Sequence, residues 1–267
     1  MDMPTFVINL DRRQDRMEHI QSQLDKIDLD FIRIPAVDGH TLDKNIASEQ
    51  APDISDCEYA CYSSHRKCWE ALVQSDYQRC LILEDDVIVS QNLKSILNND
   101  DFFIGHTGIV RLETHRRKVW VKREADYTLD GISLRKLCSG SLGTGAYVIS
   151  RKHAEKLLES ITRPTMAIDH ILFNPKSSFF EHGNTSQIDP APCVQGKRDE
   201  INSKNEVFSS DIGLNRTGIS KQRLSRYGRI KREVSRSTRL PGSLATMAYR
   251  YFVLGQRRTI IDFSASI

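Results

Sequence analysis

The segment Arg79–Val89, reading Arg-Cys-Leu-Ile-Leu-Glu-Asp-Asp-Val-Ile-Val, constrains the fold of this chain more than any other. Its apolar run reads as a buried strand of a parallel sheet. Glu84, Asp85 and Asp86 fall near the C-terminal end of that strand, and open α/β sheets bind their ligands in the crevice beyond such ends. Side chains alternate along an extended segment, so Glu84 and Asp86 face one way and Asp85 the other. Two carboxylates on one side suit a hard divalent cation. Three adjacent like charges beside an apolar core are costly unless a cation or hydrogen bonds compensate. The competing reading is an acidic turn after the strand.

A chain of 267 residues accommodates one large α/β domain or two small ones. The six cysteines, at 57, 61, 68, 80, 138 and 193, show no paired CxxC spacing and read as reduced thiols of a cytoplasmic protein. The first ten residues carry an acid and too short an apolar run for a signal peptide. No stretch reaches the roughly 20 apolar residues of a membrane span. Charge is unevenly spread. Residues 208–267 hold twelve Lys/Arg against three Asp/Glu, whereas the whole chain carries only +3, so residues 1–207 are net acidic. That asymmetry divides the chain into a body, 1–207, and a basic tail, 208–267, with different work to do.

Along the body, Thr5–Leu10 reads as a strand, and Asp11 with Gln14 as a capping box for a helix bearing Met17, Ile20, Leu24 and Ile27. Phe31–Val37 is a second strand with Asp38-Gly39 as its turn. Residues 58–76 read as a helix and 107–112 as a further strand. Gly140–Gly145 is a glycine-rich turn leading into a strand, Ala146–Ile149, and a helix capped by Ser150. Residues 168–173 form one short helical turn, and 176–207 a loop with room for one strand. In the tail, Leu224, Tyr227, Ile230 and Val234, and again Leu244, Met247, Tyr251 and Leu254, recur at helical spacing.

Several short motifs occur in a fixed order: Ile8-Asn-Leu-Asp-Arg-Arg13 with Arg16, Pro35-Ala-Val-Asp-Gly39, Ala60-Cys-Tyr-Ser-Ser-His65, Leu83-Glu-Asp-Asp-Val87, Gly143-Thr-Gly-Ala-Tyr-Val-Ile-Ser150, Ala167-Ile-Asp-His170 and Pro190-Ala-Pro-Cys-Val-Gln195. In this series, over roughly residues 4–196, the chain resembles glycosyltransferase family 25, which holds bacterial lipooligosaccharide β-galactosyltransferases and related sugar transferases. The resemblance implies an A-type glycosyltransferase fold, a Rossmann-like mixed sheet flanked by helices. It also implies a UDP-sugar donor and inversion at the anomeric carbon.

On that reading Asn9, Arg12 and Arg16 follow the first strand, where a doubly wound sheet puts its nucleotide, and Arg suits a diphosphate because its planar fork donates two hydrogen bonds. Asp38 and Gly39 are placed at the uracil or ribose, Asp85 on the donor side, and Gly143, Thr144 and Gly145 against the sugar. Asp86 is the main ligand of Mn²⁺ or Mg²⁺, and Glu84 either a second ligand or a partner of the donor ribose or sugar. The cation would neutralise the departing diphosphate. Inversion needs a base for the acceptor hydroxyl, and Asp169 matches a family Asp; His170 and His182 are further candidates as base or extra ligand, and His65 reads as a buried polar residue. The expected acceptor is a lipid-linked oligosaccharide. The basic tail would hold the enzyme peripherally on the anionic inner-membrane surface, or part of its apolar stripe would pack on the body. A nucleic-acid-binding protein is the competing class. It lacks a recognisable module or a stacking pattern of aromatics, so no nucleic acid partner is expected.

Overall fold

Described in a computed structural model are residues 3–42, 51, 53–105, 108–182, 185–196 and 244–264. The first part of the chain alternates strand and helix: β1 (Thr5–Asn9), α1 (Gln14–Lys26), β2 (Ile32–Pro35), α2 (Asp56–Gln74), β3 (Arg79–Glu84), β4 (Val87–Val89) and α3 (Leu93–Leu97). A strand-rich middle follows, with β5 (Ile109–Arg111), β6 (Glu113–Thr114), β7 (Lys118–Lys122), β8 (Tyr127–Leu129), β9 (Ile132–Lys136) and β10 (Ala146–Ser150). Then come α4 (Arg151–Ser160), α5 (Ile168–Phe173), α6 (Ser178–His182), β11 (Ser186–Asp189), β12 (Cys193–Gln195) and, far along the chain, β13 (Gln256–Ile260).

The main sheet runs β2-β1-β3-β10-β5-β11-β9-β8. Its nucleus β2-β1-β3 is parallel, and β10 then enters antiparallel to both β3 and β5. This is the expected α/β class with a mixed sheet. β3 shows why the strand must be apolar throughout. Cys80 and Ile82 join Phe6, Ile8, Trp69 of α2 and Leu157 of α4 in one core. Leu81 and Leu83 point the other way, with Val7, onto Met17, Ile20 and Leu24 of α1 and Leu93 of α3. Leu81, Ile82 and Leu83 are wholly buried, and each such side chain stabilises by about 1.5–3 kcal/mol. The helices thus cover both faces of the sheet, and its strand ends are left to form the site.

Several local expectations change. Asp11 does not cap α1; Arg13 holds the cap position without a side-chain capping bond, Asp11 pairs with Arg33, and Gln14 Nε2 donates to the Asp11 carbonyl at 2.8 Å. The α2 helix starts two residues before position 58, because Ser55 and Glu58 form a reciprocal capping box. The acidic strand does not run through to Val89; it stops at Glu84, turns at Asp85-Asp86 and resumes as β4 in a separate sheet, β4-β12-β6. The 176–196 stretch is not loop with one strand but holds α6, β11 and β12.

The tail departs most. The stretch Leu224–Val234 lies outside the described residues. Residues 244–248 are helical and Tyr249–Val253 continue as a π turn, in line with the helical reading. Gln256–Ile260 is a strand instead, antiparallel to β7. Ile261 is 2% exposed and belongs to the main core, Thr114 Oγ1 donates to its carbonyl at 2.5 Å, and Asn92 Nδ2 donates to Ser264 Oγ at 3.0 Å. Residues 256–264 are therefore part of the packed body, not of an appended region.

Candidate active site

The C-terminal ends of β1 and β3 open into a cleft of about 760 Å³ of empty space. In register, Ile8 lies beside Glu84, which brings Asn9 next to the Asp85-Asp86 turn. Arg12, Arg16, Asp38, Gly39, Glu84, Asp85 and Asp86 all line this cleft, together with Cys61 and His65 of α2 and Gln195 of β12.

The three carboxylates have different surroundings. Asp85 accepts from Asn9 Nδ2 at 2.7 Å and from Arg16 at 3.1 Å. Burial raises its pKa even so, with Arg16 and Asn9 opposing. Asn9 and Arg16 are both buried, so these two residues brace the acidic turn from below. Glu84 Oε1 accepts from Thr144 Oγ1 at 2.6 Å and lies 3.2 Å from His65 Nε2. Burial opposes its charge, but His65 and Thr144 prevail and hold the carboxyl below its ordinary value. Asp86 has the least support. Its Oδ2 accepts from Gln195 Nε2 at 3.2 Å and lies 3.8 Å from Arg16, while its Oδ1 is buried with no hydrogen-bond partner among the described residues. Burial first, then the Glu84 charge, pushes its pKa up to about 7. A buried carboxylate with one bare oxygen is costly. It is the type of atom that a hard cation satisfies.

Elsewhere on the cleft wall, Arg12 Nε donates to Asp38 Oδ2 at 2.6 Å, and this bond is the main reason the Asp38 carboxyl sits below its ordinary range. Gly39 is required by the protein itself. A Cβ there would lie 2.9 Å from the Cys57 Cα at the start of α2.

The glycine turn lies against the other side of the acidic residues. Gly143 has φ +82, and a Cβ would fall 1.9 Å from His115 Nε2. Its N–H donates to Asp169 Oδ2 at 3.4 Å. The Gly145 N–H donates to Glu113 Oε2 at 2.9 Å, and its carbonyl accepts from the Glu84 N–H at 2.9 Å. Gly143, Thr144 and Gly145 thus touch three acidic residues through backbone or hydroxyl.

Asp169 sits in the first turn of α5, not at its cap, which is Ala167. Its Oδ1 accepts from the His170 N–H at 2.8 Å. The glycine turn ties Asp169 to the acidic residues: the Gly143 N–H donates to Asp169, and the adjacent Thr144 hydroxyl donates to Glu84. His170 is exposed on the far side of this turn, and the side chain of His182 lies outside the described residues. His65 is buried, its Nδ1 2.9 Å from the Tyr147 hydroxyl.

Two groups were not found by sequence reasoning. Donor atoms of Cys61, His65 and Glu84 lie within 4.8 Å of one another, so these three also could hold a cation. Cys61 and His65 stand four apart on a helix, a spacing that puts them on one face. Glu113 and Arg111 are buried together, 3.5 Å apart, with Glu113 wholly inaccessible. They stand two apart on an extended segment, which alone places them on one side.

The profile of glycosyltransferase family 25 (LPS biosynthesis protein) matches residues 2–172, well over half of the chain. The chain belongs to glycosyltransferase family 25. Its similarity extends to the lipooligosaccharide biosynthesis protein lic2B of Haemophilus influenzae, 28% identical over 223 residues and covering 78% of this chain and 79% of that protein. It is also similar to the lacto-N-neotetraose biosynthesis glycosyltransferase LgtE of Neisseria meningitidis, 28% identical over 184 residues and covering 64% and 65%. Among solved structures, the inositol-1-phosphate CTP transferase of T. maritima aligns with a TM-score of 0.42 at 11% identity, covering 76% and 92%. As a family 25 member the protein is a glycosyltransferase, and the cleft at the ends of β1 and β3 is its candidate active site. No helix among the described residues is long and apolar enough to cross a membrane.

Proposed function

We propose that this glycosyltransferase moves a hexose, galactose first and glucose next, from a UDP-sugar to a lipooligosaccharide or lipopolysaccharide core acceptor, with inversion at the anomeric carbon. The carrying observation is Asp86: a buried carboxylate with a bare oxygen, beside a second carboxylate, at the sheet edge where a nucleotide-sugar diphosphate arrives. Asp86 is the ligand for Mn²⁺ or Mg²⁺, joined by Glu84, whose Oε1 is already oriented by Thr144 and His65. When bound, the cation neutralises charge on the leaving diphosphate. Asn9 and Arg16 hold the acidic turn in place, and Arg12 with Asp38 forms the wall for the uridine. Asp169 takes the proton of the acceptor hydroxyl as that oxygen attacks the anomeric carbon. Its two acceptor oxygens engage only backbone N–H groups among the described contacts, so it remains available as a base. The names of the two bacterial relatives support the acceptor class.

Peripheral association with the anionic inner-membrane surface belongs to the same proposal. Leu244, Phe252 and Val253 are exposed at 65%, 79% and 65%. They flank Arg250, and residues 208–243 add further basic charge. Apolar side chains beside cations suit an anionic interface.

The test is a panel of UDP-sugars hydrolysed with and without Mn²⁺, followed by mass spectrometry of the glycan from a strain lacking the protein. Hydrolysis of none of the sugars even with Mn²⁺ present, together with an unchanged glycan, removes the proposal.

A further inference from the structure

A second cleft, of about 840 Å³ of empty space, opens beside the first. The glycine turn separates them. Gly140, Ser141 and Leu142 line the second cleft, Gly143 contacts Asp169, and Thr144 bonds Glu84 in the first. His170 lines the second cleft and adjoins Asp169 in sequence. The second cleft thus lies one residue from Asp169, across the glycine turn from the acidic pair.

Its lining is basic. Arg111, His115, Arg117, Lys118 and His170 all line it, and among its described lining residues there is no carboxylate. Glu113 lies beneath, 3.0 Å from His115 Nε2 and 3.5 Å from Arg111, and offsets part of that charge. Arg117 and Lys118 are exposed. Arg111 is 2% exposed and held rigidly: one terminal nitrogen donates to the Glu113 carbonyl at 2.5 Å and Gln187 at 3.1 Å, the other to the Leu142 carbonyl at 2.7 Å. Its Nε has no hydrogen-bond partner among the described residues. A fully buried guanidinium with an unspent donor is costly unless something accepts from it. A concave wall of one sign concentrates ligands of the other.

We propose that this second cleft receives the acceptor, and that it selects a saccharide carrying an anionic substituent, a phosphate or a carboxylate, near the hydroxyl that is glycosylated. Arg117 and Lys118 contact the anion, Arg111 fixes the floor, and Leu142 and Ile261 face the sugar's apolar surface. This rests on the donor and base assignments above.

Two measurements on the full chain test it. In the first, oligosaccharide from a strain lacking the protein is used as acceptor in three forms: native, phosphatase-treated and carboxyl-reduced. Charge-assisted bonds are worth about 1.5–3 kcal/mol each, so the KM of the native acceptor should rise about 10-fold or more when its decisive anion is stripped. The double substitution Arg117→Gln with Lys118→Gln should raise the native-acceptor KM similarly, leave the stripped-acceptor KM nearly unchanged, and leave the donor KM within twofold. Which treatment matters tells phosphate from carboxylate. Equal KM values for all three acceptors overturn the inference, and so does transfer by the double variant at the unaltered native KM. The second measurement does not need turnover. Galactose 6-phosphate and galacturonic acid are titrated against galactose by calorimetry, on the natural chain and the double variant. At least one anion should bind more tightly than galactose, by a margin the variant loses. If neither does, the inference fails even where UDP-sugar hydrolysis is intact. If hydrolysis is absent while the anion preference stands, the donor assignment fails instead.

Discussion

Replacing Asp86 with Asn should make the protein more stable while abolishing its activity. The folded carboxyl titrates at about 7 against an ordinary 3.8. The shift of about three units corresponds to about 4 kcal/mol of unfavourable interaction with the ionised form, at 1.36 kcal/mol per unit. The sign follows from proton counting. Between pH 4 and 7 the folded state holds a proton on Asp86 and the unfolded state does not. Stability contributed by this site therefore falls as pH rises through that window, and the full penalty is present above 7. Asn fills the same volume, keeps an oxygen for Gln195 Nε2, and carries no charge. In chelator-treated buffer at pH 8 the Asp86→Asn chain should unfold at higher urea than the natural chain, by up to about 4 kcal/mol. The advantage should shrink steadily on acidification and vanish only below the ordinary value of 3.8. Other carboxylates that titrate low, such as Asp38 and Glu84, weaken both chains in acid, so the difference between chains is the quantity to follow. Transfer should fall at least about 100-fold, the scale of losing one strong electrostatic group. A variant no more stable than the natural chain at pH 8, or a difference that ignores pH, refutes the account of Asp86 as an uncompensated buried charge.

Four further outcomes are expected. Because the proton on Asp86 competes with a cation, Mn²⁺ affinity should drop as pH falls below about 7, with proton release visible by calorimetry in buffers of different ionisation enthalpy; pH-independent binding removes Asp86 as the ligand. Asp169→Asn should depress turnover by about 10²–10⁴ with donor affinity little changed, as for a group acting mainly in the transition state; loss confined to donor affinity makes Asp169 a binding residue. Glu113→Gln should destabilise by about 3–5 kcal/mol, since it leaves Arg111 buried without its counter-charge, and a thermal scan within a degree or two of the natural chain counts against that pair. Phe252→Ser with Val253→Ser should reduce co-sedimentation with anionic vesicles at low salt and leave UDP-sugar hydrolysis alone; natural protein that ignores such vesicles removes the membrane role.

The sheet's centre was legible in the sequence because burial on both faces demands an unbroken apolar run, and Leu81–Leu83 supply it. The Ser150 cap and the position of Asp169 were legible for a related reason, since both are set by neighbours within a few residues. The alternation rule set Asp85 opposite Glu84 and Asp86, but the strand ends at Glu84 and the chain turns, so all three carboxylates line one cleft. What escaped depends on partners distant in sequence. Asn9 and Arg16 read as donor ligands, and no local pattern shows that they also bond Asp85, 76 and 69 residues away. Glu113 looks like an ordinary strand residue without the Gly145 N–H that it accepts from. Strand β13 is hidden by its own composition: Gln-Arg-Arg-Thr-Ile pairs only at an edge with β7, so no apolar face is required of it.

That late strand also bears on how the protein comes into being. Thr114 meets Ile261 across 147 residues of chain, and Ile261 lines the second cleft. During synthesis at about 5–20 residues per second, β1, β3 and the carboxylate turn can assemble many seconds before Gln256 has left the ribosome. A nascent chain should thus acquire the cleft at the ends of β1 and β3 first and a finished neighbouring cleft last, with Val119 and Val121 awaiting their cover in between. Chains stalled just before and just after residues 256–264 should differ in protease sensitivity around β7 and hardly at all around β1 and β3.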